Sequence, residues 1–200
     1  MIVNDIAVVR TGLVTTRKKK TIAVSKSISY RLLNLKCISP EGYIETAYLE
    51  SYESPDELKE DYLTQPDDIL IRLSAPYTAV IINRPELLGL LVPSHFAIIR
   101  TDRQYVAPEY LFWTLRREKK RIELMQNSSG STAFGTISSG LIGSLNITPL
   151  PLEKQKIIGN LMLLSEQEQE LLDKLSAEKK KYNTLLLNQI YDNMKRSKIE

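Results

Sequence analysis

His95 and Cys37 are the only histidine and the only cysteine among 200 residues. One thiol cannot form an internal disulfide framework or a cysteine-based zinc cluster. One imidazole and one thiol build no metal site without several carboxylates in a ligand-like pattern, and the acidic residues show none. His95, in VPSHFAII beside a strand-like run, reads as structural, and Cys37, in an apolar stretch, as a core residue. Residues 130–137 read GSTAFGTI. That is the glycine spacing of a phosphate-cradling loop, but Thr136 stands where the lysine is needed. No GxGxxG follows a strand and no GxSxG elbow is present. The (Asn/Asp)-Pro-Pro-aromatic signature of amino-methyltransferases is also missing. Pro66-Asp67 and Glu118–Lys120 are fragments of a metal-nuclease pattern too short to carry that chemistry. No catalytic residue, no cofactor and no metal is therefore expected.

What remains is binding chemistry. The net charge is +3, from 27 basic and 24 acidic residues, yet the charges are segregated. Residues 10–36 hold eight basic residues and no acidic one, and residues 41–68 hold ten acidic residues and one lysine. Residues 100–121 hold seven basic against three acidic. Such blocks create local fields that the sum conceals. Either two positive patches face a polyanion while the acidic side faces away, or the blocks cancel in space as solvated faces.

The elements that must position these residues fall into two parts, divided near 149–151. With 42 % apolar residues the first part can bury a core, and wholesale disorder is excluded. Strands are predicted around 2–9 (or a short helix), 21–28, 68–73, 79–82, 95–100 and 147–150. A short helix is predicted over 56–63, behind Ser54-Pro55, and a longer one over 108–125. Residues 127–143 read as a Ser/Gly/Thr-rich loop region. The mixture lacks a regular βαβ repeat, which argues α+β. Beyond Pro151 there is no proline and one glycine, Gly159. Apolar residues at Ile157, Leu161, Leu164, Leu171, Leu175, Tyr182 and Leu185 recur on three- and four-residue steps, with Ile158, Leu172, Leu186 and Ile190 beside them. This predicts one long amphipathic helix, about 65 Å if helical over 152–195. Glu168, Glu178 and Gln189 interrupt the heptad, but a coiled coil or helical pair suits the stripe. The competing arrangement folds the helix back over its own domain. No run of about 18 apolar residues exists, so no membrane span is expected. The N-terminus lacks a secretory pattern, and the expected compartment is the cytoplasm.

Residues 128–161 read SSGSTAFGTISSGLIGSLNITPLPLEKQKIIGNL. A Gly-Ser-Thr loop, a short strand, a Leu-Pro-Leu-Glu-x-Gln step and a long helix follow in order. This resembles the specificity subunits of type I restriction–modification systems. In that family a target recognition domain passes through a Pro-Leu-Pro…Gln motif into a conserved helix, and Leu150–Ile157 match it. Asp5-Ile6-Ala7…Arg10-Thr11-Gly12 is similar to the family's opening strand and glycine. Asp67-Asp68-Ile69-Leu70-Ile71 is similar to its GDILI strand, with aspartate in place of glycine. Pro108–Leu115 is similar to its YLYYLL helix.

The resemblance implies one target recognition domain, 1–150, and one spacer helix, 151–200, where full subunits carry two of each. It implies a half-size form whose homodimer would pair the helices as an antiparallel coiled coil. The dimerisation residues would be Ile157, Leu161, Leu164, Leu171, Leu172, Leu175, Tyr182, Leu185, Leu186 and Ile190. The partners would be double-stranded DNA, a second copy, a methyltransferase subunit and a restriction subunit, with the chain itself non-catalytic. Two identical half-sites would form a bipartite palindrome. Base reading needs hydrogen-bonding side chains together with cations on phosphates. The DNA-binding candidates are Arg17, Lys18, Lys19 and Lys20, then Arg116, Arg117, Lys120 and Arg121 with Lys119, and Ser129, Ser131 and Thr132 of the small polar loop. A coiled-coil scaffold or regulatory protein without DNA affinity is the alternative from another class, and a small stand-alone nuclease the third.

Overall fold

The computed structural model describes residues 1–15, 27–39, 41–128, 135–148 and 150–196, with Arg196 described by its backbone alone. They divide into two compact units, Met1–Asn160 and Leu161–Glu200.

The first unit is built on an antiparallel sheet in the order β1-β6-β4-β5, with β1 at Ala7–Thr11, β4 at Ile69–Arg72, β5 at Ala79–Ile81 and β6 at Phe96–Thr101. Strand β6 runs through its middle, pairing Ile99 with Val9 on one side and with Ile69 on the other. β-Branched and leucine side chains suit such a pleated, doubly covered surface. Leu70, Val80, Phe96 and Ile98 share one face and pack with Leu33, Cys37, Ile38, Ile44, Leu87, Leu90 and Val92. The alternate residues Ile69, Ile71, Ala79, Ile81, Ala97 and Ile99 are also buried, so both faces are covered. A separate two-stranded ribbon joins β2, Ile28–Leu32, to β3, Glu50–Ser54. It packs Leu32 and Tyr52 against Leu58 and Leu91.

Several predicted elements take another form. Residues 56–63 make no α-helix, only a 3₁₀ turn at Glu60–Tyr62. Leu58 is drawn into the ribbon's cluster, and its N–H donates to Tyr30 Oη at 3.0 Å. The helix expected over 108–125 is two helices, α1 at Pro108–Arg116 and α2 at Glu118–Gln126. Arg117 has extended ψ (φ −58°, ψ 137°) between them. The apolar burial explains the break: α1 buries Tyr110, Leu111, Phe112 and Leu115, whereas α2 buries only Leu124. In the stretch expected to be loop, Ser139–Gly143 form a short helix, α3, whose Ser138 Oγ accepts from Leu141 N. The expected strand at 147–150 is reduced to a single bridge between Ile2 and Asn146, with Ile147 N donating to Met1 O at 2.9 Å. The strand expected over 21–28 lies almost wholly outside the described residues; β2 begins at Ile28.

The last element is α4, Leu152–Arg196. Its first turns, up to Asn160, belong to the first unit, so that unit runs past the boundary expected at 150. Gln155 and Gly159 are the reason. Gln155 is buried; its Oε1 accepts from Ala107 N at 2.9 Å and its Nε2 donates to Leu150 O at 2.7 Å. At Gly159 a Cβ would lie 2.6 Å from Glu109 Cβ and 3.0 Å from Tyr110 N, so the contact with α1 needs a residue without a side chain. Tyr110 Oη closes the same corner on Thr148 O at 2.9 Å. In the second unit, α4 carries exposed leucines from Leu161 onward.

One ion pair sits inside the first unit. Arg100 Nε meets Asp68 Oδ1 at 2.9 Å, and Arg100 Nη2 also donates to Leu63 O at 2.8 Å. Asp68 accepts from Gln65 N at 2.8 Å as well. Burial pushes the Asp68 carboxyl above its ordinary value, and the Arg100 guanidinium and the Gln65 amide only partly pull it back. Such a pair contributes little net attraction, but removing one member strands the other charge. Asp68→Ala is expected to cost about 3 kcal/mol in urea unfolding, while Asp68→Leu with Arg100→Met costs clearly less. Equal costs for the single and the paired change would refute this account.

Candidate nucleic-acid interface

The fold sorts the cations of the sequence into two groups. Arg10 pairs with Asp61, Arg100 with both Asp61 and Asp68, and Arg103 with Asp67. Part of the acidic block 41–68 thus neutralises arginines of the sheet and its following turn. For these residues the charge blocks cancel in space.

The second group lies on α1 and α2. The guanidinium of Arg116 sits 5.5 Å from the Phe112 ring centroid, and its Nη2 donates to Glu41 O at 2.8 Å. The guanidinium of Arg117 lies 5.0 Å from the Trp113 ring centroid. A guanidinium over an aromatic face gains cation–π attraction and is held flat. Lys120 is turned inward, with Nζ 2.7 Å from Glu123 Oε2 and its side chain 16 % exposed. Lys119 and Arg121 are exposed, and their side chains have no ion pair or hydrogen bond among the described residues. Cations gathered on one short helix pair, with Asp61, Asp67 and Asp68 engaged by other arginines, make a surface that favours a polyanion.

Arg17, Lys18, Lys19, Lys20, Ser129, Ser131 and Thr132 lie outside the described residues. The anchors of the Ser/Thr segment are nevertheless placed. On one side Ser128 Oγ donates to Met125 O at 2.8 Å, ending α2. On the other, Gly135 O accepts from Tyr77 Oη at 2.7 Å, Thr136 bridges Ser74, and Ile137 N donates to Leu73 O at 2.9 Å. The segment therefore starts at the helix that carries the cations and returns at the β4–β5 turn. That turn, Ser74–Thr78, was not singled out in the sequence. It contains the cis peptide Ala75–Pro76 and Tyr77 at φ 56°. Its available marker was a proline between two short apolar runs.

The residues examined for catalysis are not gathered. His95 is exposed in a turn and uses its carbonyl to accept from Leu73 N at 2.9 Å. Cys37 is fully buried. Among the described residues no cluster of His, Cys, Asp and Glu could hold a metal ion, and no helix is long and apolar enough to cross a membrane.

On α4 the expected stripe faces outward. Ile157, Leu161, Leu164, Leu171, Leu172, Leu175, Tyr182, Leu185, Leu186 and Ile190 are all exposed, from 40 % at Leu186 to 68 % at Leu161. Leu187, Tyr191 and Met194, outside the predicted stripe, are exposed too and widen it. On the polar side, Lys174 Nζ pairs with Glu170 Oε1 at 2.7 Å.

No family model matches the sequence, and no curated protein matches it. Solved structures do. The HsdS subunit from Thermoanaerobacter tengcongensis superposes with a TM-score of 0.59 at 18 % identity, over 93 % of this chain and 46 % of that one. The fold is that of a type I specificity subunit. A chain from work on complex assembly and conformational transition of the type I R-M system gives 0.62 at 18 % identity, again over 93 % and 46 %. The type I restriction–modification S subunit from M. genitalium gives 0.56 at 13 %, over 88 % and 40 %. The chain thus spans about half the length of the specificity subunits it matches. The α+β architecture with one long helix near its C-terminal end agrees with that fold.

Burial raises the Cys37 thiol above its ordinary value, and its Sγ lies 3.4 Å from Asn34 Oδ1. A protonated, enclosed thiol is a poor nucleophile. Native protein is expected to resist iodoacetamide at neutral pH and to be alkylated only in denaturant; rapid native labelling followed by mass spectrometry would contradict the placement.

Proposed function

We propose that the chain is a non-catalytic DNA-recognition subunit of a type I restriction–modification complex, working in the cytoplasm. The observation that carries this reading is the specificity-subunit fold, a scaffold on which the side chains of Lys119 and Arg121 have no acidic counterpart among the described residues. In this reading Arg117, Lys119 and Arg121 contact phosphates. Arg17, Lys18, Lys19, Lys20, Ser129, Ser131 and Thr132 supply further contacts, including base contacts. Target recognition occupies the first part of the chain, nominally 1–150, and 151–200 serves as dimerisation helix and spacer.

The α4 stripe supports the second half of the proposal. An outward leucine and tyrosine face of this length is far larger than monomeric surfaces usually carry. A second copy, antiparallel, covers it with its own identical face, and isologous pairing of this kind gives two-fold symmetry. Two recognition units related in that way read an inverted, bipartite site, with the helices setting the spacer. Methyltransferase and restriction subunits dock on this dimer and hold the active sites.

Duplex DNA titrated into the purified chain, alone and with its methyltransferase, tests the first half. The logarithm of affinity is expected to fall linearly with that of salt, by about 0.9 per phosphate neutralised. Absent or salt-independent binding, with dimerisation intact, would favour a scaffold protein instead. The second half is tested by Leu171→Lys together with Leu175→Lys. Sedimentation is expected to report a monomer with Met1–Asn160 still folded by near-ultraviolet circular dichroism; an unchanged dimer mass places the interface elsewhere.

A further inference from the structure

A small pocket of about 110 Å³ opens between the β4–β5 turn and the α1–α2 junction. Pro76, Tyr77, Thr78, Ala79, Arg116 and Arg121 line it. Two arginines and a threonine therefore line one cavity, and no Asp or Glu is among its lining residues. The space is roomy enough for a few ordered waters, or for one tetrahedral oxyanion with its oxygens hydrogen-bonded.

The two arginines differ in a way that suits capture. Arg116 is fixed in advance by the Glu41 carbonyl and the Phe112 ring. Gly42 helps to seat it. Its φ of +96° favours glycine, and a Cβ there would come within 2.8 Å of Arg116 Nη1. A pre-positioned guanidinium gives up little further freedom when an anion arrives. Arg121, one turn into α2, is exposed, and its guanidinium has no ion pair or hydrogen bond among the described residues. It can close on the anion from the solvent side. Tyr77, at positive φ, turns the chain so that Thr78 follows on the wall, while its own hydroxyl is spent on Gly135 O.

We propose that this pocket holds a single phosphate-type oxyanion between Arg116 and Arg121, with the Thr78 hydroxyl as a third donor. The assignment of that anion to the DNA backbone rests on the function proposed above; the pocket itself does not. One phosphodiester seated here fixes the register of the duplex beside the Ser/Thr segment, whose return at Gly135 is tied to the same turn. Phosphate contacts position a reader in this way without carrying sequence information.

The experiment uses the full chain, wild type and with Arg121→Ala, Arg121→Lys, Thr78→Val and, as a charge control, Lys119→Ala. In one arm duplex DNA is titrated over a range of potassium chloride. Arg121→Ala is expected to weaken binding about tenfold at low salt and to lower the salt slope by about one. Arg121→Lys should recover most of the loss. Thr78→Val, which changes no charge, should still weaken binding several-fold, and Lys119→Ala should weaken it less than Arg121→Ala does. In the second arm inorganic phosphate is compared with chloride at equal ionic strength by thermal melting. A saturable rise in melting temperature is expected, lost in Arg121→Ala and kept in Lys119→Ala. If the wild type binds no DNA but shows this phosphate response, the pocket stands, its anion is free phosphate, and the DNA-recognition reading fails. If the wild type binds DNA while Arg121→Ala and Thr78→Val match it in both arms, the pocket proposal is overturned. No phosphate response and no DNA binding overturns it as well.

Discussion

The fold turns on one buried amide. Gln155 lies in the first turn of α4, where a polar side chain would ordinarily face water. It is instead enclosed, accepting from Ala107 N and donating to Leu150 O. Both backbone groups belong to segments without regular partners: the approach to α1, and the proline-flanked step into α4. A buried amide is expensive unless its bonds are made, and here the three segments satisfy one another. Gly159, one turn later, then allows α4 to lie against Glu109 and Tyr110. The start of the long helix is therefore part of the first unit's own packing, together with α1 and the Thr148 carbonyl held by Tyr110.

Electrostatics gives the surface its character by subtraction. The sheet contains arginines at 10 and 100, and a turn after it holds Arg103; each finds an aspartate of the 61–68 stretch. The interior pair at Asp68 and Arg100 is dominated by the cost of burial, as the raised carboxyl indicates. It specifies one arrangement of β4 and β6 more than it strengthens the fold. With those aspartates committed, the partners of the α1 and α2 cations include two aromatic rings, the Glu41 carbonyl and Glu123.

Much of this was legible in the residues. The runs at 69–72, 79–81 and 96–101 read as strands because all their side chains except Arg72 and Arg100 are apolar or β-branched. The long helix was legible from its period and its lack of proline. Asp67, standing where the similar family motif has glycine, adopts φ 64°, a region that glycine enters freely and aspartate tolerates. The errors came from contacts distant in sequence. Leu58 left its predicted helix for a cluster formed by the ribbon and Leu91. The 108–125 periodicity spanned two helices because an apolar count does not reveal that α1 and α2 bury different faces. Charge counting found Arg116 and Arg121, but not that the β4–β5 turn brings Tyr77 and Thr78 to them. It also could not separate the inward Lys120 from its exposed neighbours.

The docking of Gln155 and Gly159 defines what can be exchanged as a module. Proline residues at 149 and 151 look like a natural seam, and a chimera joined there would replace both residues with those of another helix. The incoming domain would meet an orphaned Ala107 amide and, at the Gly159 position, any side chain would collide with Glu109. The first unit travels intact only if it takes the opening turns of the helix along, through Asn160. The seam for exchanging it as a module lies inside a helix, where the chain is most regular, and not in the loop that punctuates it.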